Sequence, residues 1–347
     1  MKDSGLVVFT KNFGSNFTGA TVATYNLVQE FLGEFKEVIV ICKNVGNSIS
    51  DERLKIKVFS TLNEARRHLV KLPPDYVYLS DDHFGYILKM AGREYYHVYH
   101  GSWPDAMFLS LRMFVYGLYF LPQYILTLVF AKLIFNVSYY MDKFTRKFNS
   151  NTTVIRNGMR HASVSRETEK NLMVKKGKLK IIMVGTIDNL KFRKALELFE
   201  LFERHELNSI CDVHIFGHAK NLKLLEKLGS FNFVHLEGFS ANIIYRDFDL
   251  YLTTSYFENL SIAVCEALNS EIPVFGFNVG GLNEVVKQYS NGYLAPINKV
   301  EYLAKNIKAW YEQSFYLDSS ETQLDDFSWE VAAKKYIKNF EIFESLK

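Results

Sequence analysis

Apolar residues in this chain cluster in short unbroken runs, separated by stretches whose hydrophobic positions recur at helical spacing. Residues 6–10, 38–42, 56–59, 77–79 and 95–100 are runs of strand length without polar alternation. Between the first two, Val22, Tyr25, Leu27, Val28, Phe31 and Leu32 follow the three-and-four spacing of a half-buried helix. Strands apolar on both faces belong in a parallel sheet covered on both sides, because a sheet with one wet face would alternate. The pattern continues with strands at 133–137 and 153–157 and a helix over 141–148. It then repeats. Strands are predicted at 179–184, 213–216, 233–236, 250–253, 273–277 and 292–294. Helices are predicted at 193–205, 222–228, 262–268 and 300–313, with a helical turn at 243–246. Phe327-Ser328-Trp329-Glu330 opens a last helix. This alternation gives an α/β class built on doubly wound sheets.

Length turns one sheet into two, because 347 residues exceed what a single core usually fills. The composition, 48% hydrophobic and 23% charged, is that of a globular protein. Polar residues 161–178 read as the connection between two domains. Cys42, Cys211 and Cys265 lie in or beside apolar runs, form no metal spacing, and read as buried thiols in a reducing compartment. The first apolar run has strand length, not that of a secretory core. The net charge of +3 is uneven: residues 1–160 hold 19 Lys and Arg against 13 Asp and Glu. That excess suits an anionic partner or a membrane surface, or is ordinary scatter; it is too weak to imply nucleic acid.

One stretch departs from the pattern. Residues 107–135 are almost wholly apolar or aromatic, broken by Ser110, Arg112, Gly117, Pro122, Gln123, Thr127 and Lys132. A transmembrane span needs about 20 apolar residues, but this one lies inside a domain and runs into the strand at 133–137. The expectation is two helices joined near Pro122, one face on the sheet and an aromatic face either open to a bilayer surface or packed.

The chemistry concentrates in residues 252–286, LTTSYFENLSIAVCEALNSEIPVFGFNVGGLNEVV. Glu258, in the loop before the helix predicted at 262–268, and Glu266 within it stand eight residues apart, a little over two helical turns, so they can share one side. A short strand follows. The Gly280-Gly281 pair then leads into another predicted helix, where a tight turn presents backbone N–H groups to an anion. Carboxylates for hydroxyls beside an anion-binding turn point to a ligand carrying both hydroxyls and phosphates.

Taken whole, this segment resembles the signature of the retaining, nucleotide-sugar-dependent glycosyltransferases of family 4. The resemblance covers most of the chain and is strongest over 180–290. It implies the GT-B fold, two Rossmann-like domains facing across a cleft. Residues 1–165 would form the acceptor side and 166–330 the donor side, with 331–347 crossing back onto the first domain. By resemblance, Glu258 with Asn259, Leu260 and Ser261 holds the transferred sugar, and Glu266 holds the ribose hydroxyls. Gly280 and Gly281 would lie by the sugar and phosphates; Glu284 is structural or sugar-contacting.

Gly185 matches the glycine that ends the first strand of the donor domain. The arginine expected next is Thr186 here, so one cation is lost. Lys194 is the best match to the family's diphosphate lysine, with Arg193 beside it able to restore the charge and Lys191 as a competing alignment. In the first domain, Gly19 stands second in a glycine pair whose first member is Thr18. His100 matches a histidine near the reacting centre, while His97 faces sheet packing. Arg156 replaces a common proline and either touches a ligand or lies on a hinge surface.

The activity implied is front-face transfer of a hexosyl-type sugar, with His100, Glu258 and Lys194 carrying the chemistry. The donor is a nucleotide-diphosphate sugar, a UDP-sugar ahead of a GDP-sugar, and no metal is required; Asp249 of the Asp247-x-Asp249 pair reads as the start of a strand. The acceptor is a glycan or lipid-linked oligosaccharide, as in bacterial surface-polysaccharide assembly. The expected location is cytoplasmic and peripheral on the inner face of the plasma membrane, with 107–135 as the contact. Two alternatives stay open. One is a GT-B enzyme of other chemistry, either an inverting transferase using His100 as base or a sugar-nucleotide epimerase. The other is a non-catalytic nucleotide-sugar-binding scaffold, consistent with the departures at Thr18 and Thr186.

Overall fold

The computed structural model describes residues 3–345 except 18, 102, 160–176, 241, 314–316 and 318–326. Thr18 and most of the expected connection at 161–178 therefore lie outside the described residues. The chain divides into two compact units, Met1–Met159 with Asp326–Lys347, and Arg160–Asp325.

The first unit alternates as its apolar runs require. Its elements are β1 (Gly5–Phe13), α1 (Ala20–Phe31), β2 (Glu37–Val45), β3 (Leu54–Val58), α2 (Leu62–Val70), β4 (Val77–Ser80), α3 (Tyr86–Met90), β5 (Tyr96–Tyr99), α4 (Leu111–Phe130), β6 (Leu133–Asn136), α5 (Tyr139–Thr145) and β7 (Thr152–Val154). The strands form one parallel sheet in the order β3-β2-β1-β4-β5-β6-β7. Residues 6–9 of β1 are fully buried, as central strands covered on both faces must be.

The segment 107–135 corrects the sequence expectation. It is not two helices joined near Pro122 but a 3-10 turn, Asp105–Leu109, followed by one 20-residue helix, α4. Ser110 caps it, its side chain accepting from the Met113 N–H at 3.2 Å. Pro122 lacks the N–H that would bond the Leu118 carbonyl, yet the helix continues through it; both residues lie on the exposed side of the helix. Of its 20 residues only Gly117, Thr127 and Leu128 are buried.

The second unit contains β8 (Leu179–Val184), α6 (Arg193–Arg204), β9 (Cys211–Phe216), α7 (Leu222–Gly229), β10 (Val234–Gly238), β11 (Leu250–Thr253), α8 (Ile262–Asn269), β12 (Val274–Phe277), β13 (Gly292–Ala295) and α9 (Val300–Tyr311). Its six strands are all parallel, in the order β10-β9-β8-β11-β12-β13. The expected turn at 243–246 is a 3-10 turn, Tyr245–Asp247. A second correction falls after Gly281. Among the described residues no α-helix follows it, only the 3-10 turn Leu282–Glu284; beyond it the buried Asn291 side chain takes the Lys287 N–H at 2.7 Å and the Val285 carbonyl at 3.0 Å, groups a continuing helix would need.

The last helix, α10 (Trp329–Glu344), belongs to the first unit. Tyr336 and Phe340 pack edge-on or tilted against Phe31 and Phe135, and Phe340 also meets Tyr96. The Tyr96 hydroxyl donates to Glu344 Oε1 at 2.9 Å, and Lys132 Nζ to the Phe343 carbonyl at 2.7 Å. Two doubly wound parallel sheets, each flanked by helices, are thus the architecture the hydrophobic pattern predicted.

Candidate functional site

Strand order in the second unit reverses at the β8–β11 pair, where Leu250 and Tyr251 register with Ile181 and Ile182. Chain leaving the carboxyl ends of such neighbours departs in opposite directions and opens a crevice, the usual ligand position of an open α/β sheet. Three loops meet there.

The first runs from Gly185 to α6. Asp188 holds it: its Oδ1 accepts from the backbone N–H groups of Leu190 at 2.9 Å and Lys191 at 3.1 Å. The second follows β11 and is tied to the first. Tyr256 N–H donates to the Leu190 carbonyl at 2.9 Å, and Thr254 Oγ1 to the Lys191 carbonyl at 2.8 Å. Lys191 is therefore fixed through both its N–H and its carbonyl. Its side chain passes so close to Gly185 that a Cβ there would stand 3.1 Å from Lys191 Cδ. Its Nζ donates to Glu258 Oε1 at 3.0 Å. The pair is partly withdrawn from water, the Glu258 side chain being 12% exposed and that of Lys191 32%. Glu258 pushes the Lys191 pKa upward, outweighing the desolvation that would lower it.

The third loop explains the double glycine. Gly280 has φ +55°, and a Cβ on it would lie 1.5 Å from the Glu258 carbonyl oxygen. Gly281 N–H donates to the Asn259 carbonyl at 2.8 Å. The turn thus clamps the backbone of Glu258 and Asn259 from behind. Asn259, Leu260 and Ser261 are all buried, and Ser261 caps α8. Glu266 lies one turn into α8, half-buried, with Oε2 accepting from the Tyr245 hydroxyl at 2.8 Å. Glu258 and Glu266 both lie near enough to the buried Tyr251 phenol to oppose its ionisation.

Of the three candidate cations, the structure brings only Lys191 to Gly185 and Glu258. Lys194 instead pairs with Glu197 on its own helix, and Arg193 is exposed at the start of α6. Asp188 and Tyr245 escaped the sequence reading. The signal for Asp188 was present, an Asp-Asn turn three residues before Lys191. Nothing local marks Tyr245, whose partner is 21 residues away. Among the described residues, no group of three or more His, Cys, Asp or Glu is placed to hold a metal.

A second polar cluster sits in the first unit, past the ends of β4 and β5. His100 Nε2 is buried without a hydrogen-bond partner among the described residues, and burial pushes its pKa down to about 4. His97 is fully buried, bonded through Nδ1 to Ser80 Oγ at 2.8 Å, and pushed down to about 3. Asp81 moves the other way, up to about 7, through burial and the neighbouring Asp82. The Thr24 hydroxyl donates to one of its oxygens, and the other is buried without a partner among the described residues. Gly19 opens α1 at φ +60°, with nothing within 4 Å of where a Cβ would stand. Asp81 and Asp82 were not singled out from the sequence, where they read as a loop.

Comparison with known proteins bears on this arrangement. Residues 164–325 match the model of the family described as glycosyl transferases group 1. Over 112 residues the chain is 30% identical to the GtfA subunit of UDP-N-acetylglucosamine–peptide N-acetylglucosaminyltransferase from Streptococcus gordonii. That match covers 31% of this chain and 22% of the relative, so the chain spans about a fifth of the length of the curated relative it matches. HepE from Anabaena, solved with UDP and glucose, superposes with a TM-score of 0.73 at 16% identity, covering 96% of this chain and 99% of its own. Sucrose-phosphate synthase from Thermosynechococcus elongatus gives 0.74 at 12%, covering 99% and 100%. The fold is GT-B. WaaG, a glycosyltransferase involved in lipopolysaccharide biosynthesis, has the same GT-B architecture, with a TM-score of 0.70 at 16% identity over 96% of this chain and 95% of its own. Within this GT-B chain, the family-matched segment contains Gly185, Lys191, Glu258, Glu266 and Gly280, the residues that converge at the β8–β11 crevice.

Proposed function

We propose that this chain is a retaining glycosyltransferase of the family 4 type. It moves a hexosyl-type sugar from a nucleotide-diphosphate donor, a UDP-sugar, to a glycan or lipid-linked glycan. The observation that carries this reading is the meeting of Lys191 and Glu258 between Gly185 and Gly280 at the switch point. A cation beside a carboxylate suits a ligand that presents phosphates next to sugar hydroxyls. Lys191 binds the diphosphate, Glu258 the transferred sugar and Glu266 the ribose. The GtfA relative is named for a UDP-sugar, and HepE was solved with UDP, which supports uridine as the base.

In the transfer step the bond from the anomeric carbon to the diphosphate oxygen breaks. The acceptor oxygen bonds that carbon on the same face, and its proton passes to the released phosphate oxygen. Lys191 stabilises the charge that grows on the diphosphate, an interaction stronger in the transition state than before it. His100, neutral and weakly basic with a pKa near 4, orients hydroxyls. So weak a base is poorly suited to deprotonate an acceptor near neutral pH, which counts against the inverting alternative in which His100 is the base.

Helix α4 supports a lipid-linked acceptor. Leu111 is 81% exposed, Tyr119 66% and Leu118 59%, and Phe108 just before the helix is 78% exposed. Such an apolar, aromatic face suits the boundary between lipid headgroups and chains. The helix has the length and composition to cross a membrane. However, β5 before it and β6 after it are paired in one sheet, which a span would tear apart.

The test is calorimetric binding of UDP, GDP, ADP and their sugar conjugates without added metal, on wild type and Glu266→Ala. The anomeric configuration of the product is then read by NMR. Selective uridine binding lost in Glu266→Ala, with retained configuration, is expected. No nucleotide binding, or an inverted product, overturns the reading.

A further inference from the structure

We propose that the Lys191–Glu258 ion pair is a selector between donor and product. Glu258 neutralises Lys191 whenever no sugar is present, so the site grips a nucleotide-diphosphate sugar more tightly than the bare nucleotide diphosphate left after transfer. This rests on the donor placement proposed above and concerns how the same two side chains tell the two ligands apart.

The pair cannot relax by moving its backbone. Lys191 is held at its N–H by Asp188 and at its carbonyl by Thr254, while the Gly280 turn presses on the Glu258 carbonyl. Exchange of partners is left to side-chain torsions. Neither of the two neighbouring cations pairs with Glu258 among the described residues: Lys194 is paired with Glu197 and Arg193 is exposed, while Thr186 stands where a further cation would be expected. With Glu258 ionised, the local charge contributed by the pair is zero.

A bare diphosphate entering this site must draw Lys191 from Glu258 or share it. Either way, a carboxylate 12% exposed is left facing an anion with its compensation reduced. A sugar-bearing donor removes that penalty, because its hydroxyls donate to Glu258 as Lys191 turns to the phosphates. After transfer the hydroxyls leave with the acceptor, Glu258 again needs Lys191, and the nucleotide diphosphate is released more readily. One carboxylate thus favours the donor and disfavours the product.

The test is titration of UDP, UDP-glucose and UDP-N-acetylglucosamine into the full-length wild type, Glu258→Gln and Glu258→Asp, with thermal unfolding as the folding check. Wild type should bind the better sugar conjugate at least about tenfold more tightly than UDP. Glu258→Gln should bind UDP about tenfold more tightly than wild type, the size of one partly desolvated charge contact, and should lose its preference for the conjugate. Glu258→Asp, which keeps the charge, should bind UDP within about threefold of wild type. The inference is overturned if wild type binds UDP as tightly as the conjugates, or if Glu258→Gln binds UDP no better while still folding. Those results leave the donor placement standing. Wild type that binds none of the three ligands overturns the donor placement itself.

Discussion

Gly280→Ala probes how tightly the glycine turn determines the position of Glu258. The new methyl carbon would stand 1.5 Å from the Glu258 carbonyl oxygen and 2.7 Å from its carbonyl carbon. Ordinary contact needs roughly 3.5 Å, so turn and carbonyl must part by about 2 Å. Alanine at φ +55° adds strain of about 1–2 kcal/mol. Separating the two segments also breaks the 2.8 Å bond from Gly281 N–H to the Asn259 carbonyl, about 1 kcal/mol more. The expected loss is about 2–3 kcal/mol in urea unfolding of the second unit. The larger effect is on activity, because shifting a binding group by 1 Å costs on the order of 100-fold. Gly238→Ala is the matched control: its φ of +72° brings similar strain, but nothing lies within 4 Å of the added carbon. Unfolding curves for both variants and kcat/KM for Gly280→Ala form the assay. A Gly280→Ala enzyme within threefold of wild type, or no less stable than Gly238→Ala, would refute the account of the turn.

Two of the cations should separate in a UDP titration: Lys191→Ala weakens binding about 10- to 100-fold, whereas Lys194→Ala, which removes a partner of Glu197, stays within about threefold. Acid stability should follow the buried cluster of the first unit. His97 and His100, with folded pKa values pushed down to about 3 and about 4, contribute stability that is complete above pH 6.5 and is lost as pH falls below it. Asp81, raised to about 7, has the opposite sign, its contribution being complete below pH 4 and lost as pH rises towards 7. Two histidines against one aspartate leave a net slope of about 1.4 kcal/mol per pH unit between pH 4.5 and 6. Asp81→Asn should roughly double that slope in urea unfolding, and an unchanged slope would remove Asp81 from the account. On α4, Leu118→Glu with Tyr119→Glu should reduce binding to anionic vesicles at least about tenfold, since each side chain forfeits about 1–2 kcal/mol of burial. Transfer to a water-soluble acceptor should be unchanged, and full vesicle binding by the double variant would refute the lipid surface.

The sequence by itself determined what short-range chemistry can determine. Runs such as 179–184 and 250–253 became β8 and β11 without shift, because a strand apolar on both faces has no stable place except inside a parallel sheet. The segment carrying Glu258, Glu266 and the glycine pair was legible for the same reason, as its strand, turn and helix signals all lie within 35 residues. Pro122 misled because the helix runs through it on a face open to solvent, and which face of a helix is open is a tertiary property. The turn after Gly281 misled because Leu282, Val285 and Val286 have helical spacing, while the backbone groups that would extend the helix are taken by the side chain of Asn291, further along the chain.

Which of Lys191, Arg193 and Lys194 meets Glu258 likewise shows only in three dimensions. Lys191 meets Glu258 across 67 residues, and the bonds that aim it come from Asp188 and from Thr254 on the far side of the sheet pair. His100 is depressed for a comparable reason, since desolvation depends on what the fold packs around it. Spacing along a chain records which residues can share an element; which charges share a crevice depends on strand order, and that follows from burying the whole sheet at once.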